Sequence, residues 1–360
     1  MVVGTGFMGG VHLEALRRLG FVDAFAISGL VEDEFESHLK DPTLDAVEIC
    51  TPNALHFAMT RAALEAGKHV LCEKPLATSV ADARTLVELA GARGLRNCTC
   101  HNLRYYPMVQ QMRRMVGDGD LGDILIAQGT YSQDWLLYDT DWNWRVDAKA
   151  GGPSRTLADI GSHWCDMVEH ITGLRITELC ADLQTFHKTR KQPKGEVETF
   201  GGKMLQAGDY VETPVDTEDF ASVQFHMGER SRGAFTVSQV SAGCKNRLQV
   251  EIFGTKCSVI WNGERPEELW IGRRDAPSQI LLKDPSLMKP EARSFADLPG
   301  GHSEGYDDTF KQVMRRFYRS IADANAPLEY PQFADGLRQL QILETELASH
   351  QRHAWQEVPE

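Results

Sequence analysis

The sequence lacks the features that mark several classes of protein. It has no uninterrupted apolar run of about 18 residues, so we expect no membrane-spanning helix. Its formal net charge is −13 at pH 7, so it lacks the basic excess by which proteins hold nucleic acids or anionic membranes. Its eight cysteines include no Cys-x-x-Cys pair, so we expect reduced, mostly buried thiols and no metal site. No basic and apolar leader precedes the first motif, which predicts a cytoplasmic protein.

The first motif is a glycine-rich turn between a strand and a helix. Gly4-x-Gly6-x-x-Gly9 follows a short apolar strand and precedes a helical pattern at 10–19. In such a turn the first glycine permits the tight bend, the second lets a pyrophosphate approach, and the third lets helix and strand pack closely. An isolated match to this pattern is often accidental, but the strand–turn–helix context favours a dinucleotide site.

The order of predicted elements indicates two domains in the 360 residues. Strands at 24–27, 46–50, 69–72 and 97–101 alternate with helices at 55–66 and 79–93, which predicts a parallel, doubly wound sheet. After about residue 105 the pattern changes: a helix at 107–116 is followed by strands that no helical pattern separates, which suggests a largely antiparallel sheet. The predicted strands are 124–131, 177–185, 220–226, 233–238, 248–254 and 258–262. Two polar stretches, 192–217 and 277–301, read as loops, and 310–325 and 331–350 read as helices.

The adenosine end of the expected site is unusual. Strand two ends in Ile27-Ser28-Gly29, without the acidic residue that normally binds the ribose. The stretch from 28 to 41 is also short for a helix and a return strand, so either this end is unusual or residues are absent from it. The nearby acids Glu32, Asp33, Glu34 and Glu36 would repel a 2′-phosphate. The sequence thus favours NAD and leaves NADP open.

Two motifs follow strands three and four, at the edge where ligands bind in such sheets. Thr51-Pro52-Asn53 is either a simple strand-ending turn or a cofactor-lining loop, with His56 on the next turn. Lys74, in a Glu-Lys-Pro motif, is either a solvated loop residue or a general acid or base. Their position at the carboxyl ends of predicted strands favours the functional interpretation of both motifs.

A carboxylate and an imidazole are paired later in the chain. Asp159 and His163 are four residues apart, so they share one face if the segment is helical, and a glycine-rich turn at 151–154 precedes them. This pair is a candidate for acid–base chemistry. Asp166 either orients the imidazole or is solvated. The aromatic stretch at 131–145 suits a sugar, which presents apolar ring faces and directional hydroxyls; the alternative is a packing cluster at an oligomer surface.

Together these motifs resemble the Gfo/Idh/MocA oxidoreductases. The residues that carry the resemblance are the glycine turn, Cys50–Asn53, Ala66–Pro75 and Asp159–His163. It extends to His302–Tyr306 and Phe333–Gly336. The resemblance implies an α/β fold, with a Rossmann dinucleotide-binding domain at 1–103 and, at 104–360, a substrate-binding α/β domain. The large, mostly antiparallel open sheet of that second domain mediates a homodimer or homotetramer in such proteins.

The resemblance also implies the site residues and the activity. On the family pattern Lys74, Asp159 and His163 are catalytic. The residues predicted to line the cofactor are Gly4, Gly6, Phe7, Met8, Gly9, Thr51, Pro52, Asn53, His56, Glu73, Lys74, Asn102, Trp144 and Arg145. Those predicted to contact the substrate are Lys74, Arg104, Tyr131, Gln133, Trp135, Asp159 and His163.

The expected activity is NAD(P)-dependent oxidation of a hydroxyl on a sugar, glycoside or cyclic polyol. The stretch at 131–135 looks like that of family members that oxidise glucosides or anhydro-sugars at ring carbon 3. Two alternatives remain open: a reductase or internal-redox epimerase that retains its cofactor, and a regulator that binds NAD(P) without turnover.

Overall fold

A computed structural model of the protein describes residues 1–29, 32–195 and 208–360. The chain divides into two compact units. The first comprises Met1–Tyr105 and Gly305–Leu340, and the second comprises Tyr106–Glu304 and Gln341–Glu360. No helix in the described part of the chain has the length and apolar character needed to cross a bilayer.

The first unit is built on a parallel five-stranded sheet. Its strands are β1 (Val2–Val3), β2 (Ala26–Ile27), β3 (Ala46–Ile49), β4 (His69–Cys72) and β5 (Asn97–Thr99). They lie in the order β2-β1-β3-β4-β5, and every pair is parallel. The order in which successive strands are added to the sheet changes side between β1 and β3. Ligands of such sheets bind at this point, outside the carboxyl ends of the strands. The glycine turn follows β1 and Thr51-Pro52-Asn53 follows β3, so both motifs lie there.

Helices connect these strands, as the right-handed crossover of parallel strands requires. They are α1 (Phe7–Leu19), α2 (Glu32–Leu39), α3 (Asn53–Glu65) and α4 (Val80–Arg93). Helix α9 (Tyr306–Ala322) and the first residues of α10 (Phe333–Arg352) also belong to this unit. The domain boundary predicted from the sequence, between residues 103 and 104, assigns α9 and α10 to the second domain. No local sequence feature links these helices to the N-terminal sheet. The links are long-range: Asn102 donates to Thr309 Oγ1 at 2.7 Å, and Tyr318 donates to Glu48 Oε1 at 3.0 Å.

The second unit contains a nine-stranded sheet in the order β15-β14-β13-β12-β6-β11-β10-β7-β16. All neighbours are antiparallel except β11 and β6, which are parallel. The strands are β6 (Ile124–Ser132), β7 (Ile176–Gln184), β10 (Phe220–Met227), β11 (Ser231–Ser238), β12 (Arg247–Gly254), β13 (Ser258–Asn262), β14 (Glu268–Gly272), β15 (Gln279–Leu282) and β16 (Gln356–Glu357). This arrangement confirms the predicted fold class, a Rossmann domain followed by a mostly antiparallel sheet.

Helix α7 (Ser162–Thr172) packs on this sheet through one indole. Trp164 is fully buried, stacks on Phe235 with ring centroids 4.5 Å apart, and donates to Gln249 O at 3.0 Å. Gly129 of β6 leaves room for it, because a Cβ there would lie 2.8 Å from the indole nitrogen. The other helices of this unit are α5 (Pro107–Gly117), α6 (Ala148–Gly151) and α8 (Pro290–Arg293).

The two predicted loops contain regular structure. A separate strand pair, β8 (Thr189–Pro193) with β9 (Tyr210–Pro214), occupies both ends of the 192–217 stretch, whose residues 196–207 lie outside the described part of the chain. The 277–301 stretch contains β15 and α8. Both predictions were wrong at these positions because the strands are short and polar or lie at a sheet edge, where the alternation of apolar residues is weak.

Candidate active site

The glycine turn has a geometry that only glycine satisfies at two positions. Gly4 has φ +107°, and a Cβ there would lie 2.7 Å from Cys50 O. A Cβ on Gly9 would lie 1.7 Å from Gly4 O. The first position therefore needs the left-handed region and the last needs close contact of helix and strand, as the sequence pattern predicts.

Gly6 differs from its neighbours because it faces open space. No atom lies within 4 Å of the position of its Cβ, and the extended backbone there (φ −71°, ψ −168°) suits any residue. Helix α1 begins at the next residue, with no side-chain cap and no acidic residue in its first turn. Amides of this first turn and an uncrowded glycine fit a bound pyrophosphate. Phe7 is 54% exposed, and the sulfur of Met8 lies 3.9 Å from the Tyr306 hydroxyl.

This geometry separates cofactor binding from folding. We expect Gly6→Ala to fold normally but to weaken NADH binding at least about 10-fold, because its methyl group occupies the space that the second glycine leaves for the pyrophosphate. Isothermal titration with NADH measures the effect. Gly91→Ala on α4, also with open space around its Cβ, is the matched control and should bind NADH as the wild type does. Equal NADH affinity in the two variants would remove this turn from the cofactor site.

One histidine joins the two loops that follow β3 and β4. The ring of His56 is 1% exposed; Nδ1 lies 2.7 Å from Pro75 O and Nε2 lies 2.8 Å from Thr51 O. Burial lowers the pKa of His56, although the two carbonyl oxygens oppose that shift. These contacts fix the Thr51-Pro52-Asn53 turn against Pro75. In this structure the ring therefore holds together two loops that are predicted to line the cofactor.

Ser28 and Gly29 follow β2, where the sequence predicts an unusual adenosine end of the cofactor site. Gly29 follows with φ +72°, and a Cβ there would lie 2.7 Å from Val3 Cγ1, so the chain passes tightly over the sheet. Residues 30–31 lie outside the described part, and α2 begins at the next residue. Asp33, Glu34 and Glu36 on this helix are exposed.

The Glu-Lys-Pro motif is anchored by its glutamate. Glu73 is buried; its Oε1 lies 2.9 Å from His12 Nε2, and its Oε2 accepts the backbone N–H of Lys74 at 3.1 Å. Nδ1 of His12 contacts Glu48 Oε2 at 2.7 Å. The Lys74–Pro75 peptide is cis, and Lys74 is half-buried. A buried network therefore fixes the backbone from which the lysine side chain extends.

Two other predicted residues of the first unit already have partners within it. The Asn102 side chain is buried and donates to Thr309, and Arg104 Nη2 donates to Asp335 Oδ1 at 2.8 Å. Burial opposes ionisation of Asp335, but Arg104 brings the pKa of that carboxyl below its usual value. Their predicted contacts with cofactor and substrate stay predictions.

In the second unit, Asp159 is held by two side chains. Its Oδ1 accepts from Arg145 Nε at 3.2 Å and its Oδ2 accepts from Gln239 Nε2 at 2.8 Å. The guanidinium of Arg145 also lies over the Trp144 ring, 4.4 Å from its centroid. The structure thus pairs Arg145, predicted to line the cofactor, with the predicted catalytic carboxylate. Gln239 was missed, because it lies 80 residues from Asp159 in the chain and no local motif marks it.

Asp159 and His163 belong to one helical segment. Residues Leu157–Gly161 form a π-helical turn that continues directly into α7, and such turns are frequent at functional sites. His163 is 8% exposed. Asp166 is 1% exposed, which excludes the alternative that it is a solvated residue.

The predicted substrate residues at the end of β6 and directly after it share a hydrogen-bond network. Tyr131 and Gln133 both donate to Asn246 Oδ1, at 2.7 and 2.9 Å, and the Trp135 indole donates to Gln133 Oε1 at 2.8 Å. Burial raises the pKa of Tyr131, and the charge of Asp159 adds to the shift, so the tyrosine lies within the field of that carboxylate. Asn246 was also missed: it precedes β12, and no local motif marks it.

Two family models match the chain. Residues 18–101 match the oxidoreductase family with an NAD-binding Rossmann fold, and residues 109–260 match the GFO/IDH/MocA C-terminal domain. Together the matches cover more than half of the 360 residues. The first match spans β2 to β5 of the parallel sheet, and the second spans β6 to β12 of the second unit.

Named relatives agree with these matches. The chain is 28% identical to levoglucosan dehydrogenase from Pseudarthrobacter phenanthrenivorans over 353 residues, which cover 96% of this chain and 86% of the relative. A levoglucosan dehydrogenase solved with NADH and L-sorbose superposes with a TM-score of 0.86 at 26% identity, covering 99% and 98% of the two chains. An inositol dehydrogenase homologue from Azotobacter vinelandii, solved with NAD+, gives 0.82 at 25% identity, with coverage of 99% and 96%. The chain belongs to the Gfo/Idh/MocA family of NAD-binding oxidoreductases, a family with sugar and polyol dehydrogenases among its members.

Proposed function

We propose that the protein oxidises one hydroxyl of a sugar, glycoside or cyclic polyol with NAD. The observation that carries this proposal is the held carboxylate of Asp159, one helical turn before His163, in a family of NAD-dependent dehydrogenases. A sugar hydroxyl needs a hydrogen-bond acceptor to orient it and a base to remove its proton, and these two side chains supply both.

Each of the three catalytic candidates has a defined role in the proposal. His163 accepts the hydroxyl proton. Lys74 donates a hydrogen bond to the same oxygen as negative charge develops on it, and Asp159 binds a neighbouring hydroxyl. Bound NAD supplies hydride acceptance from the substrate carbon, so that the alcohol becomes a ketone and NADH and a proton are formed. Positioned acid–base groups of this kind typically contribute about 10²–10⁴-fold to the rate.

The proposed substrate site includes the hydrogen-bond network that Tyr131, Gln133, Trp135 and Asn246 form at the end of β6. The indole of Trp135 and the amides of Gln133 and Asn246 combine an apolar ring face with directional donors, which suits a pyranose. The relatives named for levoglucosan support an anhydro-sugar or glucoside oxidised at ring carbon 3. Exposed acids on α2 support NAD over NADP, because they would repel a 2′-phosphate.

A substrate panel tests the proposal. Levoglucosan, methyl and aryl glucosides, glucose and myo-inositol are supplied with NAD or NADP in parallel, and absorbance at 340 nm is followed. We expect steady release of NADH with at least one sugar and a preference for NAD. Tight NADH binding with no turnover of any compound would contradict the proposal and favour a regulator. Turnover without release of NADH would instead favour an epimerase that retains its cofactor.

We further propose a homodimer or homotetramer that works in the cytoplasm. The large sheet supports the oligomer: Ile126 on the central strand β6 is 44% exposed, and Ile280 and Leu282 on β15 are 60% and 57% exposed. The cytoplasm supplies NAD and keeps thiols reduced, and none of the eight cysteines, all in the described part of the chain, forms a disulfide. Sedimentation equilibrium of the wild type and of Ile126→Asp tests the interface; an unchanged mass would contradict it.

A further inference from the structure

A buried carboxylate lies at the start of the helical segment that carries Asp159 and His163. Glu218 is 4% exposed and comes just before β10. Its Oε1 accepts from Ser154 Oγ at 2.7 Å, from Leu157 N at 2.8 Å and from Arg155 N at 3.1 Å. One side chain thus receives three donors from the first residues of the 154–163 segment, although it lies about 60 residues away in the chain.

The neighbouring groups strengthen this attachment. The backbone oxygen of Glu218 accepts from Thr156 Oγ1 at 2.7 Å and from Arg155 Nη2 at 3.0 Å. The next residue, Asp219, is fully buried and binds Arg155 as well as Arg190, the latter at 2.8 Å. Arg155 is therefore held by both residues, and each of residues 154–157 donates a hydrogen bond to Glu218.

Short hydrogen-bonded contacts connect the residues held by Glu218 with Asp159. Asp159 N donates to Arg155 O at 2.7 Å, so the aspartate lies one turn from the anchored residues. Thr156 Oγ1 lies 3.3 Å from Gln239 Oε1, whose amide nitrogen donates to Asp159. A carboxylate at the first amides of a helical segment also meets the positive end of its dipole. Displacement of this segment would move both Asp159 and His163.

A second buried glutamate shares the same interior. Glu346 on α10 is 3% exposed, and its Oε1 has no hydrogen-bond partner within residues 1–29, 32–195 and 208–360. Burial, with the charge of Glu218 added, holds the pKa of Glu346 well above its usual value, which favours the neutral form of this carboxyl. The two glutamates therefore differ in role: Glu218 accepts the hydrogen bonds of the 154–163 segment, and Glu346 does not contact that segment by any of those bonds.

We infer that Glu218 is a positioning residue of the catalytic site, which acts by fixing the 154–163 segment and so the orientation of Asp159 and His163. It contacts neither substrate nor cofactor in this inference. The inference rests on the proposed function for its kinetic consequence, but the structural consequence can be measured without any substrate.

The test compares two buried glutamates changed in the same way. Glu218→Leu should lower kcat about 10- to 100-fold for the most active sugar of the panel, since small displacements of catalytic groups cost up to that much. NADH affinity should stay within about twofold, a difference of about 0.4 kcal/mol. Amide hydrogen exchange in peptides covering 155–163 should become at least about 10-fold faster, as loss of charge-assisted hydrogen bonds predicts. Glu346→Leu, a matched change in the same interior, should keep wild-type kcat and wild-type exchange in these peptides.

Two further variants keep the outcome decisive. Glu218→Gln retains an acceptor oxygen and should recover part of the lost kcat; if Glu218→Leu does not fold, this variant and Ser154→Ala replace it. Unchanged exchange in 155–163 together with wild-type kcat would overturn the inference, and so would equal losses in the Glu218 and Glu346 variants. If no sugar is oxidised, the proposed function fails, and the exchange measurement alone decides whether Glu218 anchors the segment.

Discussion

Replacing Lys74 with Met should reduce kcat at least about 100-fold while NADH binding stays intact. Methionine retains most of the length and volume of the lysine stem but removes the ammonium that the proposed mechanism places on the reacting oxygen. The backbone of Lys74 is held by Glu73 Oε2 and does not depend on the side chain, so the fold around the motif should persist.

Steady-state kinetics at saturating NAD, with NADH titration in parallel, measures this effect. Lys40→Met, an exposed lysine of the same unit, is the control and should behave as the wild type. Turnover within about threefold of the wild type in Lys74→Met would remove the lysine from the mechanism, because a proton-transfer or charge-stabilising group contributes far more than that.

A double variant tests whether Lys74 acts together with His163. If both groups serve one substrate oxygen, their losses are not additive: Lys74→Met with His163→Asn should be little slower than the worse single variant. If the losses multiply instead, the two groups act independently and a shared reacting oxygen is excluded.

The candidate site motifs that the sequence reveals are those whose residues lie close together in the chain. The glycine turn was recognisable because its three constraints fall within six residues, and Lys74 because it directly follows a buried strand. Gln239, Asn246 and Glu218 were not predictable, since each contacts its partners across 60 or more residues of sequence. All three lie just outside strands, and no local sequence pattern indicates which distant residues they contact.

The same contrast applies to the fold. Central strands such as β12 alternate apolar and polar residues and were predicted to within a residue. The edge strand β15 was missed because its burial pattern does not alternate and its apolar residues are exposed. The parallel pairing of β6 with β11 leaves no local signal, since strands that lie about 100 residues apart can pair in either direction.

His12 is the residue of the first unit whose loss should destabilise the protein most. Its ring is fully buried, lies between Glu48 and Glu73, and packs on Phe310 with centroids 5.4 Å apart. Burial opposes a charge on the ring, but neighbouring Cys50, Cys100 and Glu48 hold the pKa of His12 well above its usual value. The raised pKa favours the imidazolium form of His12, which lies between the carboxyl groups of Glu48 on β3 and Glu73 directly after β4.

His12→Leu should lower the free energy of unfolding by about 3–5 kcal/mol near pH 6, because it leaves two buried carboxylates without their cation. Tyr318→Phe is the graded control: it removes one hydrogen bond to the Glu48 carboxylate but no charge, and should cost less, about 1.5 kcal/mol. Urea unfolding followed by tryptophan fluorescence, without added cofactor, measures both. Equal effects of the two variants would contradict a charged network.

The pH dependence gives this network a second signature. The pKa of His12 is raised, so its contribution is complete below the ordinary value of 6.5 and is lost as pH rises through the folded-state value. Burial opposes ionisation of Glu73, but His12 lowers its pKa, so that contribution is complete above the ordinary value of 4.5 and is lost as pH falls. The contribution of His12 and Glu73 to the free energy of unfolding of the wild type should therefore be greatest between pH 4.5 and 6.5. In His12→Leu the unpaired Glu73 carboxylate is relieved by protonation as pH falls, so the deficit in the free energy of unfolding relative to the wild type should shrink in acid. A deficit that stays constant from pH 4 to pH 8 would mean that lost packing alone, and not lost charge, explains the destabilisation.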